Sequence, residues 1–384
     1  MATNMAACTT TTKNILEEEE NMSRIEEDRL NDLPESLHHH ILSLLDTKDA
    51  VQTSMISKSW LRLWTSMPVL HLNSCNFRYV VNFDKFVNSV LRYRDESAKL
   101  NTLTFSRRGV CSAKIVKEVV DYALSHGINH LELFIKRFKN YSLPVSEQTS
   151  SDSLKTLKLK IHSYVSCPLL SGSFKNLTFL YLQGAIIKNH QPFSGFPMLE
   201  KLVLKDCRLC KILSVQAPKL CDLTLSCHGC FDRCELTTPN LRFFKYMGSD
   251  FPLLVTHDGL PVLETVVIDY YGVCYDFEEQ RLFDDLISLF WALDNAKSLT
   301  IFSTIVDVLN LFPDDLVNLN SPFRKLKCLN LDLKYLGMYE NLFDSLLPGR
   351  RLNIKRSYEL VKAYLLNKSP EAKFSIIPPP NNDI

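Results

Sequence analysis

The residues best spaced to do chemistry in this 384-residue chain are four cysteines, Cys207, Cys210, Cys227 and Cys230. They read C-x2-C-x16-C-x2-C, a spacing at which four thiolates can close around one tetrahedral zinc ion. A second group is the run His38, His39 and His40. Successive helical residues turn by about 100°, so three adjacent rings spread over about 200° and one ion cannot gather them. The histidines are passengers of an apolar helix. Leu37, Ile41, Leu42, Leu44 and Leu45 fall on one broad arc, Pro34 suits its first turn, His38 lies inside the arc, His40 at its edge, and His39 faces away. Nucleophile, zinc-hydrolase and phosphate-loop signatures such as G-x-S-x-G, H-E-x-x-H, G-x-x-x-x-G-K and G-x-G-x-x-G do not occur. No catalytic residue and no cofactor is therefore expected.

Composition narrows the function classes further. With 46% hydrophobic and 23% charged residues the chain can bury a large core. Its 44 Lys and Arg balance 43 Asp and Glu, so no global field steers it to nucleic acid, and a charged partner must be met locally. No run is long and apolar enough to span a membrane, and the glutamate-rich start does not suit a presequence. Twelve cysteines without a secretory signal point to reduced thiols, hence to nucleus or cytoplasm. Residues 1–25, polar and acidic, are expected to be disordered.

The element that must position everything else is a repeat. The phrase L-x-x-L-x-L, with apolar substitutes, begins at Met67, Leu100, Ile128, Leu154, Leu177, Leu199, Leu220, Leu241, Leu263, Ala296 and Leu326. Its period is 21 to 23 residues through the middle and 26 to 33 towards both ends, which is solenoid spacing. Each phrase predicts a short strand with alternate residues inward, followed by a return segment. The expected fold is α/β, a solenoid with a parallel concave sheet over 69–348. Convex helices fit only the longer periods near the ends, as in "AKIVKEVVDYALSHG" and "EEQRLFDDLISLFWAL"; turns or short 3₁₀ segments fit the middle. Residues 349–384 predict a helix from about Tyr358 to Leu366, then a strand capping the open end. "RRLNIKR" from Arg350 reads as a nuclear signal or as a solvated approach to that helix.

The phrases resemble leucine-rich repeats. "LEKLVLKDCRL" fits the extended pattern, with Cys207 and Leu209 in its last two slots. Cys207 thus has a structural occupation that competes with zinc, although both CxxC pairs follow the same strand position in adjacent repeats and zinc stays open.

Ahead of the repeats, residues 28–68 predict three short helices. Asp46 or Thr47 caps the second; Ser57 caps a third bearing Trp60, Leu63, Trp64 and Met67 at helical spacing. So small a unit buries little by itself. The segment resembles the F-box in its plant form, with "DRL", "LP", "ILS", "TKDAV", "TS", "SK" and "LWTS" in the expected order and spacing. It departs from that form at Ser59, where Arg is common, and at His38, where Leu is common. The resemblance implies that Leu33, Pro34, Ile41, Leu42, Leu45 and Val51 meet the Skp adaptor of an SCF (Skp, cullin, F-box) ubiquitin ligase. Trp60, Leu63 and Trp64 either join that contact or hold the F-box to the first repeat.

The resemblance also implies that the repeats hold a protein target. Strand alternation then selects an outward face containing Lys158, Lys160, Phe179, Tyr181, Lys201, Lys205, Phe243 and Lys245, together with Ser226 and Asp269. Its lysines and interleaved aromatics suit an acidic or phosphorylated segment, or else they merely solvate an exposed sheet. The expected function is a non-catalytic substrate receptor with Skp-type adaptor and cullin as partners, and with neither nucleic acid nor membrane; the alternative is a scaffold that binds the adaptor without promoting degradation.

Overall fold

The computed structural model describes residues 33–55, 60–139, 142–143, 150–167, 170, 172–227, 232–271, 279–333 and 354–378, the side chains of 354–357 excepted. The acidic tail, the Ser57 cap, Ser59, Cys230 and residues 350–353 of the basic run lie outside the described residues. The chain divides into two compact units, Met1–Thr104 and Phe105–Ile384. No helix among the described residues is long and apolar enough to cross a membrane.

The first unit opens with helix α1 (Glu35–Ser43), entered through Pro34, whose carbonyl accepts from the Leu37 and His38 amides. Helix α2 (Thr47–Gln52) is capped by Asp46, whose carboxylate accepts from the Lys48 amide at 3.0 Å. In place of the expected third α-helix, the described residues carry a 3₁₀ turn at Leu63–Ser66. There the Thr65 and Ser66 hydroxyls bond the carbonyls of Arg62 and Leu63, three residues back, and Pro68 holds Met67 out of helical geometry.

The first repeat phrase folds into this same unit. Strand β1 (Val69–Asn73) is tied to α2 by Thr47, which is wholly buried and whose hydroxyl accepts from the His71 amide at 2.7 Å. The long first period accommodates helix α3 (Val80–Tyr93), which buries Phe83, Val87 and Val90 at i, i+4 and i+7. Buried Arg94 then closes the unit, its guanidinium donating to the carbonyls of Met67, Ala98 and Lys99. Strand β2 (Thr102–Cys111) runs across the boundary between the units.

In the second unit helix α4 (Ala113–Ser125) buries Ile115, Val116, Val119, Val120 and Ala123, and the chain leaves it through Gly127 at φ +66. A parallel sheet then stacks β3 (His130–Phe138), β4 (Thr156–Ser166), β5 (Phe179–Ile186), β6 (Lys201–Cys207), β8 (Asp222–Cys227), β10 (Phe243–Gly248), β12 (Thr265–Tyr270), β13 (Ser298–Phe302) and β14 (Cys328–Asp332) in that order. Because the repeats are in phase, Leu157, Leu180, Leu202 and Leu223 stand directly opposite one another, all buried, and the ladder continues through Phe244 and Val266 to Leu329. A one-residue slip would turn that whole ladder outward.

The short-period return segments differ from expectation. Strands β7 (Ile212–Gln216), β9 (Arg233–Thr237) and β11 (Leu253–Thr256) form a second parallel sheet, in the order β11-β9-β7. They read as strands because Leu213 and Val215, Cys234 and Leu236, and Leu254 are buried there, giving each segment an apolar side to bury. Convex-side helices do sit at the longer periods: α5 (Glu279–Ala292), α6 (Ser303–Leu309) and α7 (Pro313–Asn318). Helix α8 (Ile354–Leu366) and strand β15 (Lys373–Ile377) end the unit, β15 pairing with β14.

Candidate functional site

Two surfaces bear the sequence-selected residues. On the first unit, α1 carries two apolar stripes rather than one. His38 and Leu42, four residues apart, face inward, and His38 meets the Trp60 ring edge-on at 4.9 Å between centroids. Leu37, Ile41 and Leu44, at i, i+4 and i+7, form the other stripe; Leu44 is 74% exposed and Leu37 46%. Met55 at 87% and Leu61 at 55% add further exposed apolar surface on the same unit. These four apolar side chains are exposed on a unit that buries Leu42, Ala50, Trp60 and Met67.

Among the residues that the resemblance assigned to adaptor contact, Pro34 is exposed, while Leu33, Ile41, Leu45, Val51, Leu63 and Trp64 are half-buried. Leu42 and Trp60 are instead core, at 0% and 3% exposure, and support the surface from beneath. Periodicity alone does not separate the stripes, because the arc on α1 is wide enough to hold both. His39, expected to face away, turns its Nε2 to the Ser66 hydroxyl at 2.9 Å.

The second surface is the outward face of the main sheet. Register places Glu132, Lys158, Tyr181, Val203, Thr224, Lys245 and Val267 in one row across adjacent strands. Glu132 holds two lysines, Lys160 at 2.9 Å and Lys158 at 3.6 Å, and Asp222 holds Lys201 at 2.5 Å. The same ammonium groups lie over aromatic rings: Lys158 and Lys201 at 5.7 and 5.9 Å from the Phe179 centroid, Lys160 at 5.6 Å from that of Tyr181. Burial pushes the Tyr181 phenol up, so it stays a neutral donor, here to Gln183 Oε1. Among the described residues Lys205 and Lys245 make no ion pair. Phe243 is half-buried in the row beside Asp222.

Sequence reasoning missed Glu132. The signal was present, because the outward rule applied to the phrase from Ile128 selects His130, Glu132 and Phe134. Two residues expected outward are covered. Ser226 is 8% exposed beneath Tyr271, whose hydroxyl donates to the Cys227 carbonyl, and Asp269 is 1% exposed. Asp269 Oδ1 lies 3.5 Å from the Thr304 hydroxyl, Oδ2 has no hydrogen-bond partner among the described residues, and burial pushes the carboxyl up to about 6.

The candidate zinc cysteines have other surroundings. Cys207 and Cys227 are register partners on adjacent strands, both buried. Cys207 Sγ lies 3.5 Å from the Leu182 carbonyl and 3.4 Å from that of Lys205, and burial pushes its thiol up to about 12. Cys210 Sγ lies 2.8 Å from the Ile212 carbonyl. Cys207 and Cys227 thus close the ends of strands β6 and β8, and Cys207 sits in the slot that the extended repeat pattern gives it.

Family comparisons agree with this division. A model of the F-box domain matches residues 30–72, and a model of the At1g61320/AtMIF1 LRR domain matches residues 92–346. Similar proteins of Arabidopsis thaliana include F-box/LRR-repeat protein At5g02910, 27% identical over 330 residues that cover 84% of this chain and 68% of its own length. F-box/LRR-repeat protein At4g14103 is 26% identical over 311 residues, covering 73% of this chain and 80% of its own. A helical unit with an F-box match, followed by in-phase parallel repeats whose family match alone spans more than half of the sequence, places the chain among the plant F-box/LRR-repeat proteins.

Proposed function

We propose that this chain is the substrate-recognition subunit of an SCF-type ubiquitin ligase, its first unit docking on a Skp-type adaptor and its sheet face holding the protein to be modified. Proteins of this family are typically non-catalytic adaptors, and the F-box is the element that implies Skp binding. The observation that carries the reading is the apolar surface of Leu37, Leu44, Met55 and Leu61 on a unit that already owns a core in Leu42, Ala50, Trp60 and Met67. Exposing such side chains is unfavourable by about 25 cal/mol per Å², and a complementary groove on a partner removes that penalty. The chain itself makes and breaks no bond in this role. It raises the effective concentration of a target lysine near the charged conjugating enzyme.

The test is co-purification of the full chain with a recombinant Skp-type adaptor and cullin, for wild type and for Leu44→Asp with Met55→Asp. Both positions are exposed, so the variant keeps its fold, and adaptor affinity is expected to fall by on the order of a hundredfold or more. Undiminished binding by the folded variant would refute the adaptor assignment.

A further inference from the structure

We infer that the segment held on the sheet face is extended and acidic, with two carboxylates seated on Lys205 and Lys245 and an apolar residue between them. This rests on the substrate-receptor reading above and names the chemistry of its target.

Charge placement carries the argument. Of the five lysines on this face, Lys158 and Lys160 share Glu132, and Lys201 is held by Asp222. An incoming anion there must displace a carboxylate already in place. Lys205 on β6 is exposed and Lys245 on β10 is half-buried, and neither has an ion-pair partner among the described residues. Buried Asp269 and Lys245 sense one another electrostatically but form no ion pair.

Geometry sets the spacing. Lys205 stands between Gln183 and Ser226, with Met247 one strand beyond Ser226, while Lys245 stands between Thr224 and Val267. Two strand steps of about 4.8 Å and one two-residue step of about 7 Å separate the two lysines by about 12 Å, which is the reach of three or four residues of extended chain. The strand between them offers the short, half-buried side chain of Thr224, with half-buried Met247 on the next strand, while Ser226 lies covered by Tyr271. That leaves a low apolar place for a side chain lying between the two acids. Carboxylates fit better than a phosphate, because a phosphate brings nearly two charges and three acceptors to one point, whereas these ammonium groups are single and apart.

The experiment selects a displayed library of random peptides on the purified full chain bound to its adaptor, then measures the enriched peptides by fluorescence anisotropy. The expected peptides carry two Asp or Glu about three or four positions apart around an apolar residue. Their affinity should fall on the order of tenfold with Lys205→Glu and again with Lys245→Glu, weaken as salt is raised, and hold with Lys201→Gln. Unchanged melting and adaptor binding of each variant controls for folding. Enriched peptides without acids, or acidic ones indifferent to both reversals, overturn the inference. If such peptides are still lost with Phe243→Asp, the sheet face remains the receptor surface and only the acidic assignment falls. If no substitution on the face alters any peptide, or if no peptide binds, the receptor reading of this face falls with it.

Discussion

The two units use apolar residues in opposite ways. In the repeat unit each leucine of the ladder is covered by its neighbours in adjacent strands, so Leu157, Leu182, Leu204 and Leu225 are all buried while the alternate positions are largely polar. In the first unit, helix α1 divides its leucines between a core stripe and a stripe turned to solvent. A parallel repeat satisfies itself by stacking, since each strand supplies the next one's missing surface. A small helical unit has too little interior for all its leucines, and the surplus stays exposed.

This contrast can be broken most directly with one residue type at two places. Leu204→Ala should cost the repeat unit about 3 kcal/mol in urea unfolding and leave adaptor affinity unchanged. Leu44→Ala, at an exposed position, should change stability by less than about 0.5 kcal/mol and weaken adaptor binding measurably by calorimetry. Equal destabilisation by the two substitutions would mean that both leucines are core and that the contrast is false.

One weak point in the repeat unit's self-sufficiency is Asp269. Its folded pKa is raised from 3.8 to about 6 by burial, so the stability it permits is fully present below about pH 4 and is lost as pH rises through about 6. Asp269→Asn should therefore be more stable than wild type at pH 8, by on the order of 2 kcal/mol, with the difference vanishing near pH 4. Parallel thermal melts across that range would show it; a difference that grows on acidification would mean that the carboxylate is stabilised in the fold.

The smallest effect sharpens the picture of the sheet face. Lys201 and Asp222 are partly exposed, and pairs of this kind contribute at most about 1 kcal/mol. Lys201→Ala should shift the denaturation midpoint hardly at all, consistent with a pair that organises the surface without holding the fold together.

Particular residues show where reading the chain succeeds and where it stops. The in-phase phrases predict the parallel ladder from Leu157 to Leu329, and the long periods predict helices α4 and α5, because strand and helix periodicities are local properties of the backbone. The second sheet was missed because segments such as "ILSVQ" are short and follow turns, and their pairing partners lie a full repeat away. The pairing of Lys158 and Lys160 with Glu132 joins residues 26 and 28 positions apart, which only the stacking of β3 against β4 brings together.

What the sequence determined by itself was the alternation along each strand, the repeat register and the existence of an apolar helical unit, since each depends on neighbours within one turn or one strand. Which stripe of α1 turns inward, which lysines stay uncommitted, and the capture of the first repeat by Thr47 and Arg94 were decided by tertiary structure. Those outcomes depend on distances between residues far apart in the chain, and such distances are set only when the elements pack.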